Sequence, residues 1–222
     1  MPATAHAPSL GSRDRQRLAT REALFRAGLD EIRRVGLANA QVDRIAARCA
    51  VSRGTFYFHF PTKEDVLREW ERRRQVEIVE RLDRPRRAPL ALRGALLEVV
   101  DFLADLAASP DGRLVLETLA IHVREGTDPR SYLLLDQIEG LLAEGRARGE
   151  LRKDVDARAA ATLFLSNVFG FLVSRTTSRP PQPGSDLLVD LFLTGASAPT
   201  PKRTTRSKPA KAADRGEPRR KR

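Results

Sequence analysis

The chain has 222 residues, 41% of them hydrophobic and 31% charged, with a formal net charge of +11. That length suits one larger domain or a small one plus a larger one, and many charges with few aromatics favour helices. A single cysteine, Cys49, excludes an internal disulfide framework and any zinc cluster built from several thiolates of one chain.

The excess charge sits at the two ends. Residues 1–70 carry twelve basic against eight acidic side chains, residues 71–195 eighteen against nineteen, and residues 196–222 ten against two. Basic ends around a near-neutral middle fit a polyanion binder whose middle has another task. Residues 1–12 lack the apolar segment of a signal peptide, and no apolar run reaches the ~18–20 residues that span a bilayer. The longest apolar-rich stretch, 157–173, is interrupted by Arg158, Thr162, Ser166, Asn167 and Gly170. A reducing cytoplasm is the expected compartment.

Residues 1–11 are rich in Ala, Pro, Ser and Gly and are expected to be disordered. From Ser12 to Val35 the apolar period is helical, with Leu24, Gly28, Ile32 and Val35 on one face and Gly36 as the stop. Val42, Ile45, Ala46 and Cys49 form the stripe of a short second helix. Ala50-Val51-Ser52 is a turn, and Ser52 is the N-cap of a third helix, with Val51 and Phe56 spaced as a hydrophobic staple. Phe56 and Phe60 anchor that helix inward, and Pro61 stops it. Thr62 caps a fourth helix over 63–82, with Asp65 at the capping-box position.

Pro85 and Pro89 bracket a basic link. Helices follow over 90–108 and 113–124, and over 129–147 with Asp128 as a cap and Gly149 as its end. Asp154 or Asp156 opens a helix running to about 176. The segment SRPPQPG is a loop, 186–193 is a last short helix, and no strand pattern is evident. The tail, 196–222, has almost no large apolar residues, so it cannot offset its ordering entropy by burial and is expected to be disordered.

The third helix carries the most specific chemistry. Arg53, Thr55, Tyr57 and His59 crowd about two turns, with Gly54 among them. Arg pairs bidentately with a guanine edge, Thr bonds a base or phosphate, and Tyr and His reach phosphates; Gly lets backbone approach closely. Arg53 and Lys63 open two successive helices, where a cation is disfavoured by a few tenths to about 1 kcal/mol. An anionic partner such as DNA phosphate would account for both. The plainer alternatives are cations that bend into water, and a mixed polar surface helix with Tyr57 and Phe58 in a small core.

The segment resembles the DNA-binding domain of the TetR family of bacterial transcriptional regulators. The resemblance starts near Arg21 and runs through Leu24, Phe25, Ala27, Ile32, Gly36, Val42, Ile45, Ala46, Val51 and Ser52. It continues with Gly54-Thr55-Phe56-Tyr57-Phe58-His59-Phe60 and closes with Lys63-Glu64-Asp65-Val66-Leu67. It implies an all-α fold: a three-helix DNA-binding head (a helix-turn-helix, 12–70), a helical ligand-binding and dimerisation body (71–195), and the basic tail beyond. It further implies that Arg53, Gly54 and Thr55 supply most base-edge contacts, and that Tyr57, His59 and Lys63 contact phosphate. Gln41 stands where the family usually has a Thr that caps the second helix and touches the DNA backbone. Ala50 replaces the usual Gly, at a cost of about 1 kcal/mol if the turn needs a left-handed conformation there, and Gly28 replaces the usual Ala at a cost of similar size.

The body is similar to the family only in layout. The helix over 156–176 is apolar nearly all round, so it needs a second layer to cover it. In the family this helix and the last one form a dimer interface, here Leu163, Val168, Leu172, Leu188, Leu191 and Phe192; a central helix of a monomer is the alternative. The candidate lining of a ligand pocket is Phe102, Leu106, Leu119, His122, Tyr132, Leu135, Phe164, Asn167 and Phe171, each of which also suits plain core.

The expected partners are double-stranded DNA, a second copy of the chain and a small, largely apolar ligand, with no membrane. Neither a cofactor nor a metal is expected. His6, His59 and His122 are isolated, Cys49 has no evident partner, and no phosphate-cradling glycine loop appears, so enzymatic activity is not expected. The reading is a homodimeric, ligand-released repressor of a palindromic operator, nucleoid-associated in a bacterial cytoplasm. The alternative is a ligand-independent or architectural DNA binder assisted by its tail.

Overall fold

The computed structural model describes residues 11–84, 91–125, 133–177 and 183–196. The expectations placed on 1–10, on the 85–90 link, on Asp128, Pro129 and Tyr132, on most of the SRPPQPG loop and on the tail beyond 196 lie outside these residues. The described residues form nine helices and no strand.

Helix α1 (Ser12–Val35) buries Leu24, Phe25, Gly28 and Ile32 on one face. It stops at Gly36, whose φ of 81° is open to glycine at no steric cost and whose N–H still bonds the Ile32 carbonyl. Helix α2 (Val42–Arg48) is short, and Gln41 at its N-cap makes no side-chain capping bond. Ala50 then adopts φ 53°, the left-handed conformation that a Gly would take without strain. Ser52 caps α3 (Arg53–His59): its hydroxyl accepts the Thr55 N–H at 3.1 Å. Phe56 and Phe60 are buried beneath α3 at 0% and 1% exposure, each burial contributing roughly 1.5–3 kcal/mol.

Helix α4 runs Glu64–Leu82, one residue shorter at its start than the sequence suggested. The capping box forms nonetheless. The Thr62 N–H donates to Asp65 Oδ2 at 2.8 Å, and the Asp65 N–H donates back to Thr62 Oγ1 at 3.3 Å. Burial pushes the Asp65 carboxyl up, but the bonds from Thr62 and the Arg68 guanidinium outweigh it and hold the group below its ordinary range.

Gly28 is where α1 and α4 meet. A Cβ there would stand 3.1 Å from Val66 Cγ1, so the glycine that looked like a helix-propensity cost permits close helix packing. Arg73 fastens the same crossing. It reaches Glu22 of α1 at 2.8 Å and Glu69 at 2.9 Å, with its guanidinium 3.9 Å over the Phe25 ring.

The remaining helices are α5 (Leu92–Ala108), α6 (Gly112–Glu125), α7 (Leu133–Ala147), α8 (Ala157–Thr177) and α9 (Ser185–Ala196). Asp156 is the residue that opens α8, accepting the Ala159 N–H at 2.8 Å. Helix α9 extends further at both ends than the 186–193 expected. Because α4 is continuous, the expected division at residue 70 falls inside a helix, and buried residues of α1–α9 form one core cluster.

Helix α8 is long and apolar enough by composition to cross a bilayer, which the interrupted sequence pattern had understated. Its placement is that of a bundle helix. Phe164, Val168 and Leu172 are buried, and Arg158 bonds Asp136 and Glu139 of α7 at 2.5 and 2.8 Å. Across the bundle, Arg93 of α5 clasps Asp186 and Asp190 of α9 at 2.8 and 2.7 Å.

Candidate nucleic-acid interface

The α2–turn–α3 unit presents one polar face. Arg53, Gly54 and Tyr57 are exposed on α3 and Gln41 at the N-cap of α2, while Thr55 and His59 are half-buried. Arg53 reaches Asp43 Oδ2 at 3.1 Å and the Tyr57 hydroxyl at 3.4 Å, with its guanidinium 5.6 Å from the Tyr57 ring centre. Thr55 shares its hydroxyl with Ser52 at 2.9 Å. Lys63 stands apart, on the α1–α2 loop side, where its Nζ donates to the Ala38 carbonyl at 2.9 Å.

These local partners change one argument. The cation opening α3 is balanced by a carboxylate of α2, and the cation before α4 by a carbonyl. Neither therefore requires DNA to account for it. What remains distinctive is the exposed chemistry: an arginine beside a tyrosine, on a short helix whose inner side is anchored by two phenylalanines. A major groove admits an α-helix, and exposed side chains at its N-terminal end reach base edges there.

Three nearby features were not among the sequence candidates. Phe58 is 71% exposed beside the His59 ring, 5.1 Å between centres, so it belongs to no small core. Its direction is implicit in the helical period: with Phe56 and Phe60 turned inward, the residue between them turns out. Arg17 and Arg21 of α1 lie near enough to His59 to matter electrostatically. Burial, then Arg21, then Arg17, holds the His59 imidazole below its ordinary value. Arg21 also sits 4.7 Å over the Phe60 ring.

The body contains a cavity of about 70 Å³ between α4 and α6, closed further by α5, α7 and α8. Leu106, Leu119 and His122 of the expected pocket line it. Phe102, Leu135, Phe164 and Phe171 are buried elsewhere in the core, Phe102 beneath Arg81 at 4.7 Å and Phe164 against Phe192 at 5.0 Å. Asn167 is exposed and donates to its own helix at the Leu163 carbonyl, 2.8 Å away. The wall that sequence reasoning missed comes chiefly from α4: Trp70, Glu71, Arg74, Gln75 and Ile78. Their spacing of three and four was visible, but only the packing of α6 against α4 makes it a wall. Glu71 Oε1 meets His122 Nε2 at 2.9 Å and accepts Gln75 Nε2 at 3.1 Å.

Of the residues expected at a dimer interface, Leu163 and Leu191 are 62% and 66% exposed, and Leu188 and Phe192 are half-buried. Val168 and Leu172, at 0% and 1%, pack within their own chain because they lie on the opposite side of α8 from Leu163.

The all-helical architecture and the α2–α3 face define a helix-turn-helix DNA-binding regulator. Residues 24–70 match the model of the family described as "Bacterial regulatory proteins, tetR family". The chain therefore carries the DNA-binding segment of TetR family transcriptional regulators. It is 23% identical over 147 residues to the fatty acid metabolism regulator protein of Bacillus subtilis (strain 168), covering 64% of this chain and 76% of that one. A solved TetR family transcriptional regulator from Pseudomonas syringae is 26% identical with a TM-score of 0.55, over 79% of this chain and 93% of that chain. Thermus thermophilus FadR, a repressor solved with lauroyl-CoA, shares the fold at 23% identity and a TM-score of 0.60, over 78% and 91% of the two chains.

Proposed function

We propose that the protein is a homodimeric repressor that holds a palindromic operator through two copies of α3 and releases it when a small, largely apolar ligand occupies the body. Arg53, Gly54 and Thr55 read base edges. Tyr57, His59 and Lys63 hold phosphates, and Gln41 touches the backbone at the start of α2. The site of action is the bacterial nucleoid. The Thermus relative's complex with lauroyl-CoA, whose acyl chain is apolar, supports a ligand with an apolar part.

The observation that carries the ligand-release reading is the double duty of α6. One of its faces, with Val115, Thr118, Leu119 and His122, is cavity wall. Its remaining side holds the head. Glu117 Oε1 accepts the Leu37 N–H at 3.0 Å, Glu125 pairs with Arg68, and Asp111 just before α6 pairs with Arg33 at 2.7 Å. Helix α4 likewise begins beside the recognition unit and lines the cavity from Trp70 to Ile78. A cavity of about 70 Å³ is about half the volume of an engineered cavity that takes up benzene, ~150 Å³. A ligand therefore has to part α4 from α6, and both helices carry the head with them.

The dimer reading rests on the outer face of α8. Ala159, Thr162, Leu163, Ser166, Gly170 and Val173 are exposed there, with Leu187 and Leu191 of α9 also exposed. The Thr162 and Ser166 hydroxyls bond carbonyls of their own helix at 2.9 Å, so the strip presents small and apolar surface with its polar atoms satisfied. Sedimentation of the purified protein tests this. A dimer is expected, and Leu163→Asp should yield monomers that lose operator affinity; a wild-type monomer at all concentrations would overturn the assignment. DNA fragments selected by the protein should carry inverted half-sites about one helical turn, roughly 34 Å, apart or a multiple of it.

A further inference from the structure

We infer that the body cavity is built for a neutral ligand, apolar over most of its surface and carrying one hydrogen-bond-accepting oxygen such as a ketone, ester or amide carbonyl, rather than for a free carboxylate. The inference rests on the ligand-gated reading above and names the chemistry of that same site.

The cavity wall is largely leucine, isoleucine, valine and aromatic side chains, crossed by one polar stripe. Glu71, Arg74 and Gln75 on α4 face Thr118 and His122 on α6. Most of the stripe satisfies itself. Glu71 meets His122 and Gln75 on one oxygen, and Gln75 Oε1 accepts the Leu134 N–H at 3.4 Å. Two atoms are left over. Arg74 Nε and Thr118 Oγ1 are buried and have no hydrogen-bond partner, and Thr118 as a whole is only 7% exposed. A buried polar atom without a partner is unusual and costly, and an absent ligand or water is one standing explanation. The arginine Nε can only donate, and the threonine hydroxyl can donate as well. Their common complement is an oxygen that accepts.

Charge decides between carbonyl and carboxylate. The Arg74 guanidinium is already paired with Glu77 at 2.8 Å, and the Glu71 carboxylate lies in the same wall. The stripe thus offers no surplus positive charge, and a desolvated anion placed there would remain uncompensated beside Glu71. A neutral carbonyl that enters as α4 and α6 part can accept from either donor without bringing a charge.

Trp70 makes the test direct. It is the chain's sole tryptophan, it is 5% exposed, and it lines the cavity. The full chain should be titrated with 2-heptanone, heptanoate and heptane while tryptophan emission is read. The ketone should bind about tenfold or more tighter than either of the others, and Thr118→Val, which keeps the shape and removes the hydroxyl, should cost the ketone about three- to tenfold while leaving heptane unchanged. Arg74→Met should act in the same direction. Equal or tighter binding of heptanoate or heptane, or an unaltered ketone affinity in Thr118→Val, would overturn the inference while leaving a ligand-gated body standing. If none of the three probes perturbs Trp70 up to its solubility limit, the inference and the ligand-gated reading beneath it both fall.

Discussion

Glu117 is the most informative single contact between body and head. Its Oε1 accepts the N–H of Leu37, itself 3% exposed, at 3.0 Å, and lies where a Cβ on Gly36 would come within 2.9 Å. In Glu117→Ala the buried N–H loses a charged acceptor. Bonds to charged groups contribute about 1.5–3 kcal/mol, and partial exposure here brings the expected loss to about 1–2 kcal/mol. For a chain of this size that is a fall in Tm of roughly 2–8 °C. Glu117→Gln retains an acceptor oxygen and should lose less than half as much. The assay has two readouts: thermal unfolding of the three proteins, and operator affinity with and without a cavity ligand. Glu117→Ala should bind ligand normally yet show a smaller ligand-induced loss of DNA affinity, because one of the ties from α6 to the head is gone. An unchanged Tm together with unchanged coupling would refute the reasoning that α6 transmits through this bond.

Three further outcomes follow from the head. Ala50→Gly relieves a left-handed alanine, worth about 1–2 kcal/mol, against about 0.4–1 kcal/mol of added freedom in the unfolded chain, so Tm should rise by a few degrees; no change or a fall in Tm would show that the turn relaxes in solution. His59 has a folded-state value below its ordinary 6.5, so the unfolded chain protonates first as pH falls. Stability from this residue is therefore full above the unfolded value and is lost as pH drops from there toward the folded one. The difference in unfolding free energy between wild type and His59→Gln should shrink across that window, and a pH-independent difference would contradict it. Lys63→Ala should weaken all DNA sites alike and lower the slope of log affinity against log salt by about one unit; a shift in preferred sequence would show that Lys63 reads bases.

The parts of this protein legible in its sequence are those decided within a few residues. Ser52 over Thr55 and Thr62 with Asp65 are caps whose partners lie three residues away, so spacing alone locates those two helix starts to within a residue, while for α8 it left Asp154 and Asp156 as alternatives. Parts decided by distant packing were not legible. Gly28 read as a defect until Val66 appeared 3.1 Å from its absent side chain. Arg53 read as an unbalanced cation because Asp43, ten residues back, is brought to it only by the fold. The cavity wall on α4 was missed for the same reason. Its residues are ordinary for an amphipathic helix, and the two orphaned polar atoms are recognisable only once α6 closes over them.

The central claim is that α3 reads base edges and that Arg53 does much of the reading. The most direct measurement is a base-preference profile, with DNA sites selected from a random pool by the wild type and by Arg53→Ala at one fixed salt concentration. The account predicts a loss of about 1–3 kcal/mol on the preferred site, with discrimination collapsing at one position in each half-site and kept elsewhere. An equal loss on every sequence, with the profile unaltered, would assign Arg53 to phosphate and contradict the claim.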